Sequence, residues 1–301
     1  MKFSIITPVY NGETYIAETI ESILSQEGDF EIEYIIMDGA STDATVAIIK
    51  SYEERLNAGR YRIRCKKVTF RWSSRKDAGM YAAINRGFSL ATGDIYAWLN
   101  SDDTYLPHAL SAAANTFAAH PDIHWLTGTN LLIDESSRVL KTNPCYLYNQ
   151  DWIRLGIYGR NAYFIHQESV FWRSELWKKS GDIDEKYRLA GDYYLWVKFA
   201  KYTPLWSLDI SLSCFRKRKD QLSENTDGYR KEQIAVVRSP RNFLVQKIRL
   251  FFWLKSKLPQ FFFEQAFLAW YPVLFPARNE YYINIKKDTG PTKERARSYI
   301  A

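Results

Sequence analysis

The sequence predicts an α/β protein: a doubly wound, mostly parallel sheet followed by a C-terminal amphipathic helical extension. Three observations predict it. Apolar runs of strand length alternate with amphipathic segments of helix length through residues 1–120. Short polar turns after those runs carry acids, at Asp38, Asp77 and Asp102-Asp103. From Ile234 onward the composition turns basic and aromatic.

Phe3–Val9 reads as a buried strand closed by Tyr10-Asn11-Gly12. Glu13–Gln26 places Ile16, Ile20, Ile23 and Leu24 on one face, the spacing of a helix. Glu33–Met37 is a second strand, ending at Asp38-Gly39-Ala40-Ser41, and Ser41 or Thr42 caps a helix to about Leu56. Tyr61–Val68 is a third strand, its alternation weakened by basic residues. Ala78–Leu90 is helical, and Thr92-Gly93-Asp94 turns into the apolar run Ile95–Leu99. Leu106–Ala119 is a helix stopped by His120-Pro121. This βαβαβ order implies parallel strands joined by crossovers. Their carboxyl ends converge on one crevice, which is why acids distant in sequence are treated as one site.

The second half is less regular. His124–Ile133 and Val139–Thr142 suit a hairpin around Asp134–Ser137. Ala162–Trp172 reads as a strand, Ser174–Lys179 as a short helix, Ala190–Ala200 as a helix and Leu205–Cys214 as a strand.

The chain has 301 residues, a net charge of +7 and a pI near 9.1, so acidic partners are expected. No nucleic-acid motif accompanies the charge, so nucleic acid is not an expected partner. Cys65, Cys145 and Cys214 are scattered without CxxC spacing, which suits reduced thiols in a cytosolic setting. The histidines form no zinc motif, and His120 and His124 read as structural. There is no run of about 18 apolar residues, so no spanning helix is expected. The first residues read as a strand and not as a leader. Ile234–Phe275 holds six Lys/Arg, one acid and eleven aromatics, broken by Pro259, Pro272 and Pro276. Basic residues beside aromatics on interrupted helices fit a segment lying in a membrane interface. Packing back onto the main domain, or an oligomer contact, is the plain alternative.

The chemistry starts at Asn100-Ser101-Asp102-Asp103. Two carboxylates on a turn after a buried strand suit Mg²⁺ or Mn²⁺, which take few protein oxygens when a diphosphate supplies the rest. The same residues, ahead of Pro107, also suit a helix cap.

Five sequence words stand in order: Thr7-Pro8-Val9-Tyr10-Asn11-Gly12-Glu13, Asp38-Gly39-Ala40-Ser41-Thr42-Asp43, Asp77-Ala78-Gly79-Met80-Tyr81, Asn85-Arg86-Gly87 and Asn100-Ser101-Asp102-Asp103. Over about residues 1–225 the chain resembles family 2 glycosyltransferases of the GT-A fold, inverting enzymes that use nucleotide sugars. The resemblance implies a nucleotide-binding half over 1–120 and an acceptor half over 121–225; residues 226–301 are then the helical, basic-aromatic segment expected at a membrane. Thr7, Pro8, Tyr10 and Glu13 would border the nucleotide. Asp38 would accept a hydrogen bond from the base, and Asp77 and Gly79 would line the pocket. Asp102 would touch ribose or metal, and Asp103 would hold the metal on the diphosphate. Asp192, within Ala190-Gly191-Asp192-Tyr193, would be the catalytic base; it also suits a helix cap. His166 would stand near the acceptor mouth or in the core, and Arg216 would reach the diphosphate or lie in a solvated basic loop.

Two departures touch the donor pocket. Arg75 stands where similar chains often carry Glu, and Ala82 where they often carry Asp. Among other classes, a sugar nucleotidyltransferase would need a basic, glycine-rich first loop, and a dinucleotide oxidoreductase would need GxGxxG; neither is present. A non-catalytic, membrane-associated binding module remains as the alternative. The expectation is thus an inverting, Mn²⁺- or Mg²⁺-dependent hexosyltransferase, peripheral on the cytoplasmic face of the cell membrane. It would move sugar from a UDP-sugar to a lipid-linked glycan in polysaccharide biosynthesis.

Overall fold

The computed structural model describes residues 1–159, 163–219 and 221–237, single helical positions at 246, 250, 253 and 257, and two later strands over 281–286 and 290–295. Four parallel strands build the first half: β1 (Lys2–Val9), β2 (Gly28–Asp38), β3 (Cys65–Ser74) and β4 (Ile95–Trp98). They lie side by side in the order β3-β2-β1-β4. Helices α1 (Ile16–Leu24), α2 (Thr45–Asn57) and α3 (Met80–Ser89) make the crossovers. β1 is buried on both faces: Ile6 packs into one apolar core, Phe3, Ile5 and Val9 into the other.

The chain then runs through β5 (Thr104–Tyr105), α4 (Ala109–Ala119), β6 (Trp125–Ile133), β7 (Val139–Thr142), α5 (Gln150–Arg154), β8 (Val170–Arg173), α6 (Ser174–Ser180), α7 (Gly191–Phe199), β9 (Trp206–Arg216) and α8 (Thr226–Val237). β8 sits antiparallel between β4 and β6, and β9 runs parallel to β6. The expected hairpin forms as β6–β7. A tryptophan cluster seats α7 on the sheet: the Trp98 and Trp196 rings stack at 5.7 Å, with Trp125 and Trp172 beside them. That packing fixes where the first turn of α7, which carries Asp192, emerges.

Three expectations shift. The third strand lies at Cys65–Ser74 and not Tyr61–Val68, because pairing with β2 runs on to Asp38↔Ser74. Of the strand expected over 162–172, only β8 forms; Gln167–Ser169 is a 3₁₀ turn, and residues 160–162 lie outside the described residues. The C-terminal extension begins as the helix α8, but β10 (Tyr281–Lys286) and β11 (Gly290–Arg295) join the sheet edge, with Tyr282 opposite Ser207. Most of the basic-aromatic stretch lies outside the described residues.

Near the opposite, amino-terminal edge of the parallel strands, Glu33 is buried. It accepts hydrogen bonds from Ser4, Thr92, Lys2 and Arg71. Burial alone would raise its carboxyl, but the bonds from Ser4, Thr92 and Lys2 outweigh it and bring the pKa to about 2.

Candidate active site

Two turns at the carboxyl edge of the sheet are braced against each other. Asn11 N–H donates to Ser41 Oγ (2.8 Å), and Thr42 N–H donates to Asn11 Oδ1 (2.9 Å). Gly12 N–H reaches Thr45 Oγ1 (2.8 Å), and Glu13 Oε2 accepts the Ala44 N–H (2.8 Å). Asn11 and Ala40 take positive φ, 49° and 67°, to make these turns. Tyr10 is left 64% exposed at the edge.

Thr7 and Pro8 lie at the end of β1, before the first turn. Both are buried, and Thr7 Oγ1 accepts the Tyr34 hydroxyl at 3.1 Å. Asp38 is also fully buried; its carboxylate accepts the Ser41 N–H (3.1 Å) and the hydroxyls of Ser41 and Ser74. It closes the turn. Asp77 is half-buried and lies beside Gly39, where a Cβ would sit 3.2 Å from Asp77 Oδ2; its Oδ1 accepts the Gly79 N–H (2.9 Å). Gly79 has φ 128°, and a Cβ there would meet Arg188 Nη1 at 2.5 Å.

The acidic pair divides its labour. Asp103 is 1% exposed, accepts the Arg216 backbone N–H (3.0 Å) on Oδ1 and the Asn100 amide (3.3 Å) on Oδ2. Burial, with Asp102 and Glu168 nearby, pushes its carboxyl well above the usual range. Asp102 faces outward more, and its Oδ2 accepts Arg218 Nε (2.8 Å) and Gln221 Nε2 (3.2 Å). Asp102 is thus the more exposed of the two, at 15% against 1%, with Asp103 packed beneath it.

Arg216 also differs from expectation. Its guanidinium is fully buried and spent on the Asp102 carbonyl (2.9 Å), the Asp134 carbonyl (3.1 Å), Ser137 Oγ (2.9 Å) and Glu18 Oε2 (2.5 Å). The cation facing Asp102 is Arg218, beyond the end of β9.

Asn100 Oδ1 and Gln167 Oε1 are buried with no hydrogen-bond partner, and Gln167 Nε2 donates to the Trp98 carbonyl (2.6 Å) at the end of β4. Among the described residues no group of three or more His, Cys, Asp and Glu is placed to hold a metal. One outward carboxylate and an unpartnered amide oxygen nearby in the same turn suit a hard cation that takes its other ligands from a diphosphate.

Asp192 is the second residue of α7. Its Oδ1 accepts the Tyr193 N–H (2.7 Å), its Oδ2 the Tyr229 hydroxyl (3.4 Å), and its own N–H donates to the Tyr81 hydroxyl (3.3 Å). Tyr81 stands in the first turn of α3, just after Asp77-Ala78-Gly79, so it ties Asp192 to the turn that carries Asp77. Gly191 allows this contact, since a Cβ would lie 2.6 Å from the Tyr81 ring. Burial lifts the Asp192 carboxyl to about 7; the Tyr193 and Tyr229 bonds oppose the shift and Glu168 adds to it.

Sequence reasoning missed Glu168, Arg218 and Tyr229. Glu168 is buried in the polar stretch His166–Ser169 between apolar residues, accepts the Asn130 amide (2.6 Å), and is lifted by burial to about 7. Its charge is felt at both Asp103 and Asp192. His166 Nδ1 lies 3.6 Å from Glu168 Oε1; burial and Lys141 hold the imidazole near 4, so it is neutral at pH 7.

Residues 4–165 match the family described as Glycosyl transferase family 2. An uncharacterized glycosyltransferase of Rickettsia typhi is 28% identical over 205 residues, 67% of this chain and 60% of that one. The putative glycosyltransferase EpsE of Bacillus subtilis is 31% identical over 205 residues, 66% of each chain. The chain thus spans about 60% of the length of the first curated relatives it matches. S. aureus TarS 1-349, solved in complex with UDP-GlcNAc, shares the fold at a TM-score of 0.56 and 20% identity, over 75% of this chain and 61% of that one. Mannosyltransferase PcManGT from Pyrobaculum calidifontis, solved with GDP-Man and Mn²⁺, gives 0.51 and 17%, over 74% and 59%. The GT-A-type sheet expected from the resemblance is the fold shared with these neighbours. With more than half of its length matched, this chain belongs to glycosyl transferase family 2.

Proposed function

We propose that this chain is an inverting glycosyltransferase that moves a sugar from a nucleotide diphosphate, most simply a UDP-sugar, to an acceptor hydroxyl. The observation that carries the reading is Asp192: a carboxylate lifted to about 7, tied by Tyr81 to the turn that carries Asp77. In a single displacement the acceptor oxygen bonds to the anomeric carbon as the bond to the diphosphate breaks. The hydroxyl proton passes to Asp192, whose raised pKa suits it to take a proton near neutral pH. Asp77, Gly79 and Tyr10 line the nucleotide side. Asp102, with Asn100 nearby in the same turn, would hold a Mn²⁺ or Mg²⁺ ion, which would offset the charge gathering on the departing diphosphate. Arg218 adds positive charge on the same side. UDP-GlcNAc, UDP and GDP-Man in the neighbouring structures support a nucleotide donor, and Mn²⁺ in one supports the cation.

The acceptor we propose is a lipid-linked glycan at the cytoplasmic face of a membrane. The basic-aromatic stretch supports this, as does the name of a relative, a PGL/p-HBAD biosynthesis glycosyltransferase of Mycobacterium bovis. No helix among the described residues is long and apolar enough to cross a membrane.

The test is a thermal-shift panel of nucleoside diphosphates with and without Mn²⁺. UDP is expected to raise Tm, more so with Mn²⁺, and Asp102→Asn is expected to lose the Mn²⁺-dependent part. If no nucleotide shifts the parent protein, the donor reading fails.

A further inference from the structure

α8 begins just after the expected domain boundary at residue 225, yet it reaches into the site. Its half-buried Glu232 carboxylate lies against the backbone that leads into α7. Glu232 Oε2 accepts the N–H groups of Leu189 (2.9 Å), Ala190 (2.9 Å) and Arg188 (3.1 Å), and Oε1 accepts the Arg188 N–H again (3.0 Å). Three successive amides thus point at one carboxylate, two residues before Asp192. The strap has a second attachment: the Arg188 guanidinium donates to the Ala78 carbonyl, in the turn that carries Asp77 and Gly79. A third comes from α8 itself, where Tyr229 donates to Asp192 Oδ2 (3.4 Å). α8 is held by Gln233, which is fully buried and donates to the Tyr158 carbonyl.

We propose that Glu232 is a positioning residue for the transfer reaction. By gathering the Arg188, Leu189 and Ala190 amides it fixes the strap that sets Asp192 on the acceptor side and Arg188 on the nucleotide turn. This rests on the transferase reading above. It goes beyond that reading by making α8 part of the catalytic unit. The physical reason is geometric. A carboxylate that receives three backbone N–H groups holds a loop whose N–H groups at 188–190 have no sheet or helix partner. Loosening it shifts Asp192 relative to the acceptor hydroxyl, and misplacement of about 1 Å can cost roughly 100-fold in rate.

The test compares Glu232→Ala, Glu232→Gln and Glu232→Asp in the full chain. Rates are normalised to folded protein by near-UV circular dichroism. Glu232→Gln keeps an acceptor oxygen at the same reach, whereas Glu232→Asp falls one methylene short. Glu232→Ala and Glu232→Asp are expected to lose roughly 10- to 100-fold in kcat with UDP affinity within about twofold of the parent. Glu232→Gln is expected to recover most of the rate. Amide exchange at 188–190 should speed up at least about tenfold in Glu232→Ala and much less in Glu232→Gln. A normalised kcat unchanged in Glu232→Ala overturns the proposal, as does equal loss in the Gln and Asp variants. Should the Ala variant not fold, the Gln and Asp pair decides alone. If the parent transfers no sugar, the transferase reading has failed; unchanged exchange at 188–190 then overturns the strap separately.

Discussion

The charge state of Asp192 has a consequence that a rate measurement reads directly. Its carboxyl stands at about 7 against an ordinary 3.8, because burial disfavours the anion more than the Tyr193 and Tyr229 bonds favour it. The groups around it are Tyr81, Tyr193, Tyr229 and the Glu168 carboxylate. A base must be ionised to accept a proton, so kcat/KM should rise with pH and level off above about 7. At pH 5 only about 1% of Asp192 would be ionised, against more than about 90% for an unperturbed aspartate. The expected loss between pH 8 and pH 5 is therefore roughly 100-fold, with unit slope. A coupled assay of nucleotide release across this range, with UDP-sugars as donors, measures it. Glu168 titrates near the same pH, so variants separate the two. Asp192→Asn should lose roughly 10²–10⁴ in rate and keep UDP affinity. Glu168→Gln should keep a measurable flank but move it to lower pH, since a neighbouring negative charge is gone. Tyr229→Phe should move it higher, because the hydrogen bond that favours the anion is lost. A flat profile from pH 5 to 8, or an Asp192→Asn variant as active as the parent, would refute the assignment.

Two further outcomes concern the frame. Glu33 is held at about 2, against 4.5 unperturbed, so its ionised form adds about 3 kcal/mol of stability. That stability is fully present above about pH 4.5 and is lost as pH falls through about 2, so urea denaturation of Glu33→Gln should trail the parent by this amount at pH 7 and converge with it in acid. Arg216→Met should cost about 2–4 kcal/mol in the same assay, because the carbonyls of Asp102 and Asp134 lose their donor, and Arg216→Lys should not restore it.

Much of the first half of the fold was legible because its signals are local. Apolar runs such as Ile95–Leu99 suit strands buried on both faces, and a parallel order sends their carboxyl ends to one edge. The acids at Asp77 and Asp102 follow from that rule alone. What the sequence hid depends on partners far along the chain. Which of two adjacent carboxylates turns inward is decided by the Arg216 N–H, supplied by β9, and by burial over Thr19. Arg216 and Arg218 look alike in a basic run, yet one ends a buried strand and the other lies just past it. Glu168 sits in a short polar stretch inside a segment that reads as strand, and its partner Asn130 comes from β6. The boundary at residue 226 follows the reach of the family resemblance, but Tyr229 and Glu232, just beyond it and ahead of the basic-aromatic stretch, bond to Asp192 and to the backbone that leads into α7.

A crystal of the protein with UDP and Mn²⁺, read by anomalous scattering, tests the division of roles most directly. The expected map has the ion between the Asp102 carboxylate and the diphosphate, Asp103 still accepting the Arg216 N–H beneath, and Asp192 open toward the acceptor side. A nucleotide bound while Asp102 stays paired with Arg218, with the ion elsewhere or on Asp103 alone, would contradict it.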